Sequence, residues 1–245
     1  MKSLTLSLAV AGMMVLSSAS FAQTKDGSWH GGLESNLTFI TSNRNSQSIL
    51  IVGNVKSLKE LERLFFDGYY NFGRTENAFN VMETTTDQWS FGGRFERDFG
   101  HKSFYYVTGR LERDGVNLLN LRTIFGAGLG YTVIDQEDAS FRVSVGASRV
   151  NEDYQTTDNN FWGIQLQTDY SRKLTDKVDL SHSFIYIPNS DKFSDYYFNS
   201  NFGLSFRLNE QTTAGLRYIV AFDSSPAAGS VKQNTTWGFV LGYKF

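Results

Sequence analysis

Six arginines stand where they could act together. Arg94, Arg110, Arg122, Arg142, Arg207 and Arg217 each fall on the polar side of a segment in which apolar and polar residues alternate. Glu34, Asp67, Glu96, Glu112 and Asp169 hold equivalent positions on the same or other such segments. Two chemistries suit this set. Lining an aqueous path, the guanidinium groups would form a cationic track for anionic solutes, since rings of charged side chains set selectivity. Paired with the carboxylates, they would instead form a network that holds a wall shut. The near-equal numbers of the two signs favour pairing.

Other chemistries find less support. His30, His101 and His182 are the only histidines, without an i, i+4 pair, and the chain has no cysteine, so zinc and thiolate chemistry are not expected. The stretch "SHS" invites comparison with outer-membrane lipases, where a His and a Ser lie two positions apart on one strand face. Here Ser181 and Ser183 adjoin His182 and point to the opposite side. "GAGLG" at Gly126 to Gly130 is not a dinucleotide fingerprint, because its glycines recur every second residue and no helix follows. "VNEDYQTTDNN" and "NSDKFSD" carry Asp153, Asp158, Asp191 and Asp195 without the spacing of a calcium loop. No catalytic residue, cofactor or metal site is expected.

The elements that must position the charges are strands. "FWGIQLQTDY" puts Trp162, Ile164, Leu166 and Tyr170 on one face against Gln165, Gln167 and Asp169. "FNSNFGLSFRL" and "FRVSVGA" alternate in the same way, as a strand with one apolar and one polar face requires. About twelve strands are expected, starting near Trp29, Gln47, Glu60, Thr85, Lys102, Asn117, Ala139, Asn160, Lys177, Ser194, Gln211 and Val231. Short turns such as "LTDK" alternate with longer polar stretches such as "FGRTENAFNVMETT" and "VNEDYQTTDNN". That alternation describes an up-and-down meander with two unlike ends, as outer-membrane barrels have. The glycines Gly126, Gly128, Gly130, Gly146, Gly203, Gly215, Gly238 and Gly242 fall on the polar, inner side. Inward Phe65, Tyr69, Phe104 and Tyr106 could fill the room they leave.

The apolar face argues for a membrane. With 21 Phe, 12 Tyr, 4 Trp, 22 Gly and 2 Pro, the chain is aromatic and strand-prone. Trp29, Trp89, Trp162, Trp237, Tyr70, Tyr131, Tyr170, Tyr186 and Tyr243 tend toward strand ends on the apolar side, where aromatic girdles mark membrane interfaces. Only Arg97 and His182 break that face. Met1 to Ala22 reads as a secretory signal peptide, with Lys2, an apolar run to Leu16, and Ser20 and Ala22 before the cut. Residues 23–245 then form one barrel domain of 223 residues, with a formal charge near −3 once Lys2 is lost from the total of −2. Such a balance argues against nucleic-acid binding. The final stretch "TWGFVLGYKF" places Phe239, Leu241, Tyr243 and Phe245 in one row, a closing strand and a candidate signal for the barrel-assembly machinery.

The middle of the chain also carries a family resemblance. "RLERDGVNLLNLRTIFGAGLGYTVID", "FRVSVGASRVNEDY" and the opening "WHGGLESNLTFITSNRNS" resemble the YdiY-like family of salt-induced outer-membrane proteins. Where that family often has Gly-Asn after the first strand, this chain has "TSNRN". The resemblance implies an outer-membrane barrel of a Gram-negative bacterium; with the signal peptide, export by the Sec pathway is expected, and with a membrane barrel, contact with outer-membrane lipid and lipopolysaccharide. It brings no catalytic residues.

The expectation is therefore an all-β, antiparallel up-and-down transmembrane β-barrel of about twelve strands, monomeric. Its lumen would be a narrow channel for small hydrophilic solutes. The alternative is a closed structural or salt-stress barrel that acts through its outer loops.

Overall fold

The computed structural model describes residues 26–40, 45–226, 228 and 230–244. The expected signal peptide and Phe245 lie outside them. Twelve strands follow in order: β1 Asp26–Ile40, β2 Ser46–Lys59, β3 Glu62–Glu76, β4 Met82–Asp98, β5 Ser103–Asp114, β6 Leu119–Asp135, β7 Ala139–Tyr154, β8 Asp158–Thr175, β9 Val178–Pro188, β10 Tyr196–Arg207, β11 Thr212–Asp223 and β12 Gln233–Lys244. Each pairs antiparallel with its neighbours in sequence, and β1 pairs with β12 to close the barrel. The expected strand starts fall within three residues of these.

The pattern that produces this is the period of two. On β6, Arg122, Ile124, Gly126 and Thr132 are buried in the interior, while Phe125, Leu129, Tyr131 and Val133 between them are exposed. A soluble protein exposing such rows would aggregate; in a bilayer they meet acyl chains. Trp162 and Trp237 mark one end of the apolar band, and Trp29, Tyr131 and Tyr243 the other. Trp89, Tyr170 and Tyr186 are half-buried instead, Tyr170 against Phe141 and Tyr186 against Tyr196.

The contrast between long and short connections is smaller than the sequence suggests. Turns at one end hold two to four residues, and those at the other end, three to nine. Two of the stretches read as long loops are mostly strand: Arg74↔Thr84 and Glu76↔Met82 extend the β3–β4 ladder, and Glu152↔Asn159 and Asp153↔Asp158 extend β7–β8. Backbone pairing outlasts the apolar pattern because a strand needs apolar side chains only at bilayer depth. β8, with 18 residues, rises about 45 Å at about 3.3 Å per residue and a tilt of about 40°, well past an apolar band of about 25 Å. The barrel has a turn end, where β1 begins and β12 ends, and a loop end opposite it.

Candidate functional site

The interior is crossed by two layers of charge. Nearer the turn end, Glu96 on β4 is almost wholly buried and meets three arginines. Arg94, two residues before it and so on the same face, places Nε 2.7 Å from Oε1. Arg63 on β3 donates to Oε2 at 3.2 Å and also pairs with Asp98. Arg142 arrives from β7, three strands away. Arg94 spans further, donating to Gln167 on β8 at 2.7 Å and Ser144 on β7 at 3.1 Å. Asp169 accepts from Gln167 at 3.1 Å and lies within electrostatic reach of Arg94 and Arg142.

Aromatic rings fill the space between these charges. The Arg94 guanidinium sits 3.8 Å from the Tyr106 ring centre, and that of Arg142 sits 4.3 Å from Phe104. Both rings are almost wholly buried. They lie there because the facing wall is glycine: a Cβ at Gly130 would overlap the Phe104 ring, and one at Gly146 would stand 2.6 Å from the Tyr106 hydroxyl. Phe65 joins through a contact with Arg142, 5.8 Å from its ring centre.

The second layer lies toward the loop end around Arg122. Its guanidinium reaches Asp223 on β11 at 2.5 Å, Glu152 on β7 at 2.6 Å and Glu112 on β5 at 3.4 Å. Tyr197 on β10 stacks on it at 4.5 Å and donates its hydroxyl to Glu112 at 3.0 Å, while Tyr154 donates to Asp223 at 3.0 Å. Below it, Ile124, Val150, Phe161, Ile187 and Tyr197 form one apolar cluster on the inner wall of β6 to β10.

The mouth above is narrowed too. Asp114 on β5 accepts from Gln88 at 2.7 Å and from Asn234 of β12 at 2.8 Å, across the barrel. The β11–β12 connection folds inward onto the opposite turn, where Asn117 accepts from the Ser230 hydroxyl at 2.7 Å and from the Val231 amide at 3.0 Å. Beneath this connection is a cavity of about 50 Å³, lined among others by Tyr69, Glu112, Arg122, Tyr197 and Asp223. That is room for a few water molecules, not for a hydrated solute.

The remaining sequence candidates are distributed around this axis. Arg110 donates to Asp67 at 2.5 Å and Ser90 at 2.6 Å, with Glu112 at 4.0 Å. Arg207 pairs with buried Asp179 at 3.3 Å. The Arg217 guanidinium lies over Gly203. Glu34 is on β1, and its side chain lies outside the described residues. Sequence reasoning paired the arginines with five carboxylates and missed Glu152, Asp223, Asp179, Asp98 and Asp114, along with Arg63. Glu152 and Asp223 were overlooked because they sit in polar stretches read as loop. Only the length of the backbone ladder would have corrected that.

The outward side of "SHS" meets a serine from another strand. His182 does face outward, but its ring nitrogen Nε2 lies 3.0 Å from the hydroxyl of Ser200 on the adjacent strand. On a lipid-facing surface the two polar groups satisfy each other. Acyl transfer also needs donors for an oxyanion. The backbone of Ser200 is committed to ladders with Phe184 and Val220 on its two sides.

Comparison with known proteins agrees with the architecture. The family model described as "Protein of unknown function, DUF481" matches residues 36–245. No curated protein matches. Among solved structures, the NanC porin is 7% identical, with 89% of this chain and 98% of that one covered at a TM-score of 0.50. The COG4313 outer-membrane channel from Pseudomonas putida F1 is 12% identical, covering 93% and 97% at a TM-score of 0.47. The KdgM porin is 10% identical, covering 89% and 99% at 0.44. With the NanC porin, at 7% identity and a TM-score of 0.50, the likeness is one of fold: a closed antiparallel barrel of the outer-membrane kind.

Proposed function

The chain belongs to the DUF481 family, and we propose from its lumen that it is an outer-membrane barrel passing small hydrophilic solutes along a narrow path. Side chains close that path at rest. One observation carries this reading: the interior is closed by charged side chains that reach across it between strands, Arg142 of β7 onto Glu96 of β4, Arg94 of β4 onto Gln167 of β8, and Arg122 of β6 onto Asp223 of β11. Ionisable groups at membrane depth are costly and tend to mark ion and solute pathways. Side-chain pairs are also movable in a way that a packed apolar core is not. Arg94, Arg110, Arg122, Arg142, Arg207 and Arg217, with Glu34, Asp67, Glu96, Glu112 and Asp169, are the proposed lining. With the two signs nearly balanced, the expected ion selectivity is weak.

The second reading is a barrel that stays closed and acts through its loops, in line with the salt-induced family that the sequence resembles. The cross-lumen bonds and the inward β11–β12 connection favour it. Under either reading we place the mature chain in the outer membrane after loss of a signal peptide at Ala22, with its termini in the periplasm. The outward row Phe239, Leu241 and Tyr243 would then engage the assembly machinery.

Single-channel recording on refolded mature protein separates the two readings. Stepwise KCl current supports the path, and charge reversal of Arg122 and Arg142 together should then change its ion selectivity. Silence from protein with heat-modifiable gel migration would rule the path out and leave the closed barrel.

A further inference from the structure

The barrel wall is unevenly closed. β1 and β12 pair from Gly32↔Lys244 to Ser35↔Leu241. Beyond Ser35, β1 goes on pairing with β2 as far as Ile40↔Ser46, and β12 with β11 as far as Gln233↔Phe222. Among the described residues, no backbone pair joins Asn36–Ile40 to Thr236–Val240 across the seam. In place of the ladder, the side-chain amide of Asn36 donates to the Phe239 carbonyl at 2.7 Å. Just inside, Asn71 of β3 donates to Thr236 at 3.0 Å, reaching past two strands.

This stretch lies at bilayer depth. Trp237 and Tyr243 belong to opposite aromatic belts, six residues or about 20 Å apart along β12. The unladdered part therefore occupies the loop-end leaflet. Strand edges are not left open to lipid there, because unsatisfied backbone groups in hydrocarbon are costly. Something other than lipid tails must meet them.

The lumen behind the seam is apolar. Leu50 and Val52 of β2, Ile219 of β11 and Val240 of β12 face inward and are buried. Across the barrel stands the cluster of Ile124, Val150, Phe161, Ile187 and Tyr197. A path for ions alone has no use for two apolar walls in its loop-end half. Above them the mouth is latched by the Asn117 contacts, and below them lies the Glu96 layer. Sideways, no backbone ladder among the described residues closes the wall above Ser35.

We propose that the β1–β12 seam above Ser35 is a lateral portal between the lumen and the loop-end leaflet, and that its occupant is a small amphiphile with an acyl tail. The tail lies along Leu50, Val52, Ile219 and Val240. The polar head meets the amides of Asn36 and Asn71, which can donate to a carboxyl, carbonyl or hydroxyl oxygen. Opening requires that the Asn36 and Asn71 bridges part. The portal goes beyond the axial path and does not depend on it.

The chain has no native cysteine, so a seam lock is clean. Continuing the register makes positions 38 and 238 partners, and Thr38→Cys with Gly238→Cys should close the portal when oxidised. Leu33→Cys with Tyr243→Cys, a pair already in register, is the control lock. Mature protein in lipid nanodiscs is irradiated with a photoreactive dodecanol, and the labelled residues are mapped by mass spectrometry. Heat-modifiable migration verifies folding of each variant. The portal predicts labels on Leu50, Val52, Ile219 or Val240, lost when the 38–238 disulfide forms, regained on reduction, and unaffected by the control lock. Labels confined to outward-facing residues, or inner labels indifferent to the lock, would overturn it. KCl current recorded on the same variants reports the axial path separately, so either reading can fail without the other.

Discussion

Replacing Glu96 by glutamine keeps the shape of the side chain and removes the charge that three arginines share. Arg63 retains Asp98, but Arg94 and Arg142, with side chains 10% and 14% exposed, lose their shortest ion pairs. Breaking a buried pair by removing one partner costs about 3–5 kcal/mol, because the other charge is left uncompensated. The lower end applies here, since Asp169 stays within electrostatic reach and the rings of Tyr106 and Phe104 still face the guanidinium groups. Glu96→Gln should therefore lose about 3 kcal/mol, or about two decades in the unfolding equilibrium. Urea titration in lipid vesicles, followed by tryptophan fluorescence and gel migration, measures this directly. Adding Arg142→Met should recover part of the loss, since an apolar replacement of the second partner removes the stranded charge. A loss below about 1 kcal/mol, the range of solvated surface pairs, would refute the argument: the layer would then be wet and would not hold β4 to β7.

Three further outcomes follow from the same contacts. Gly130→Val should destabilise the barrel by about 1–3 kcal/mol through overlap with Phe104, and Phe104→Ala in the same chain should relieve the overlap, read from the urea midpoints of the two variants. Arg122→Met strands Glu112, Glu152 and Asp223 together; a loss of about 3 kcal/mol or more is expected in the same titration, larger than for Arg207→Met, which strands Asp179. Asn117→Ala removes the side-chain acceptor for Val231 and a donor to Asp114, so limited proteolysis should cut the β11–β12 connection faster, with the barrel core left intact.

What could be read from the sequence is what depends on one strand at a time. The alternation in "FWGIQLQTDY" assigns Gln165, Gln167 and Asp169 to one side whatever the strand pairs with, because successive side chains in a strand point to opposite faces. The same rule placed Arg94 and Glu96 on one side, put Gly130 on the wall facing a ring, and turned His182 outward. Twelve such segments of fitting length leave few ways to close other than a meander. Tertiary structure alone decided which charges meet. Arg122 and Asp223 lie 101 residues apart, and Arg94 reaches Gln167 at a separation of 73. A period of two records the face of a strand but not the height at which opposite walls face each other, which is set by the tilt and stagger of the closed sheet. The seam shows the same limit, since "TWGFVLGYKF" reads as an unbroken closing strand. Only the assembled barrel shows that its partner β1 is laddered to it for four pairs and bridged beyond them by the side chain of Asn36.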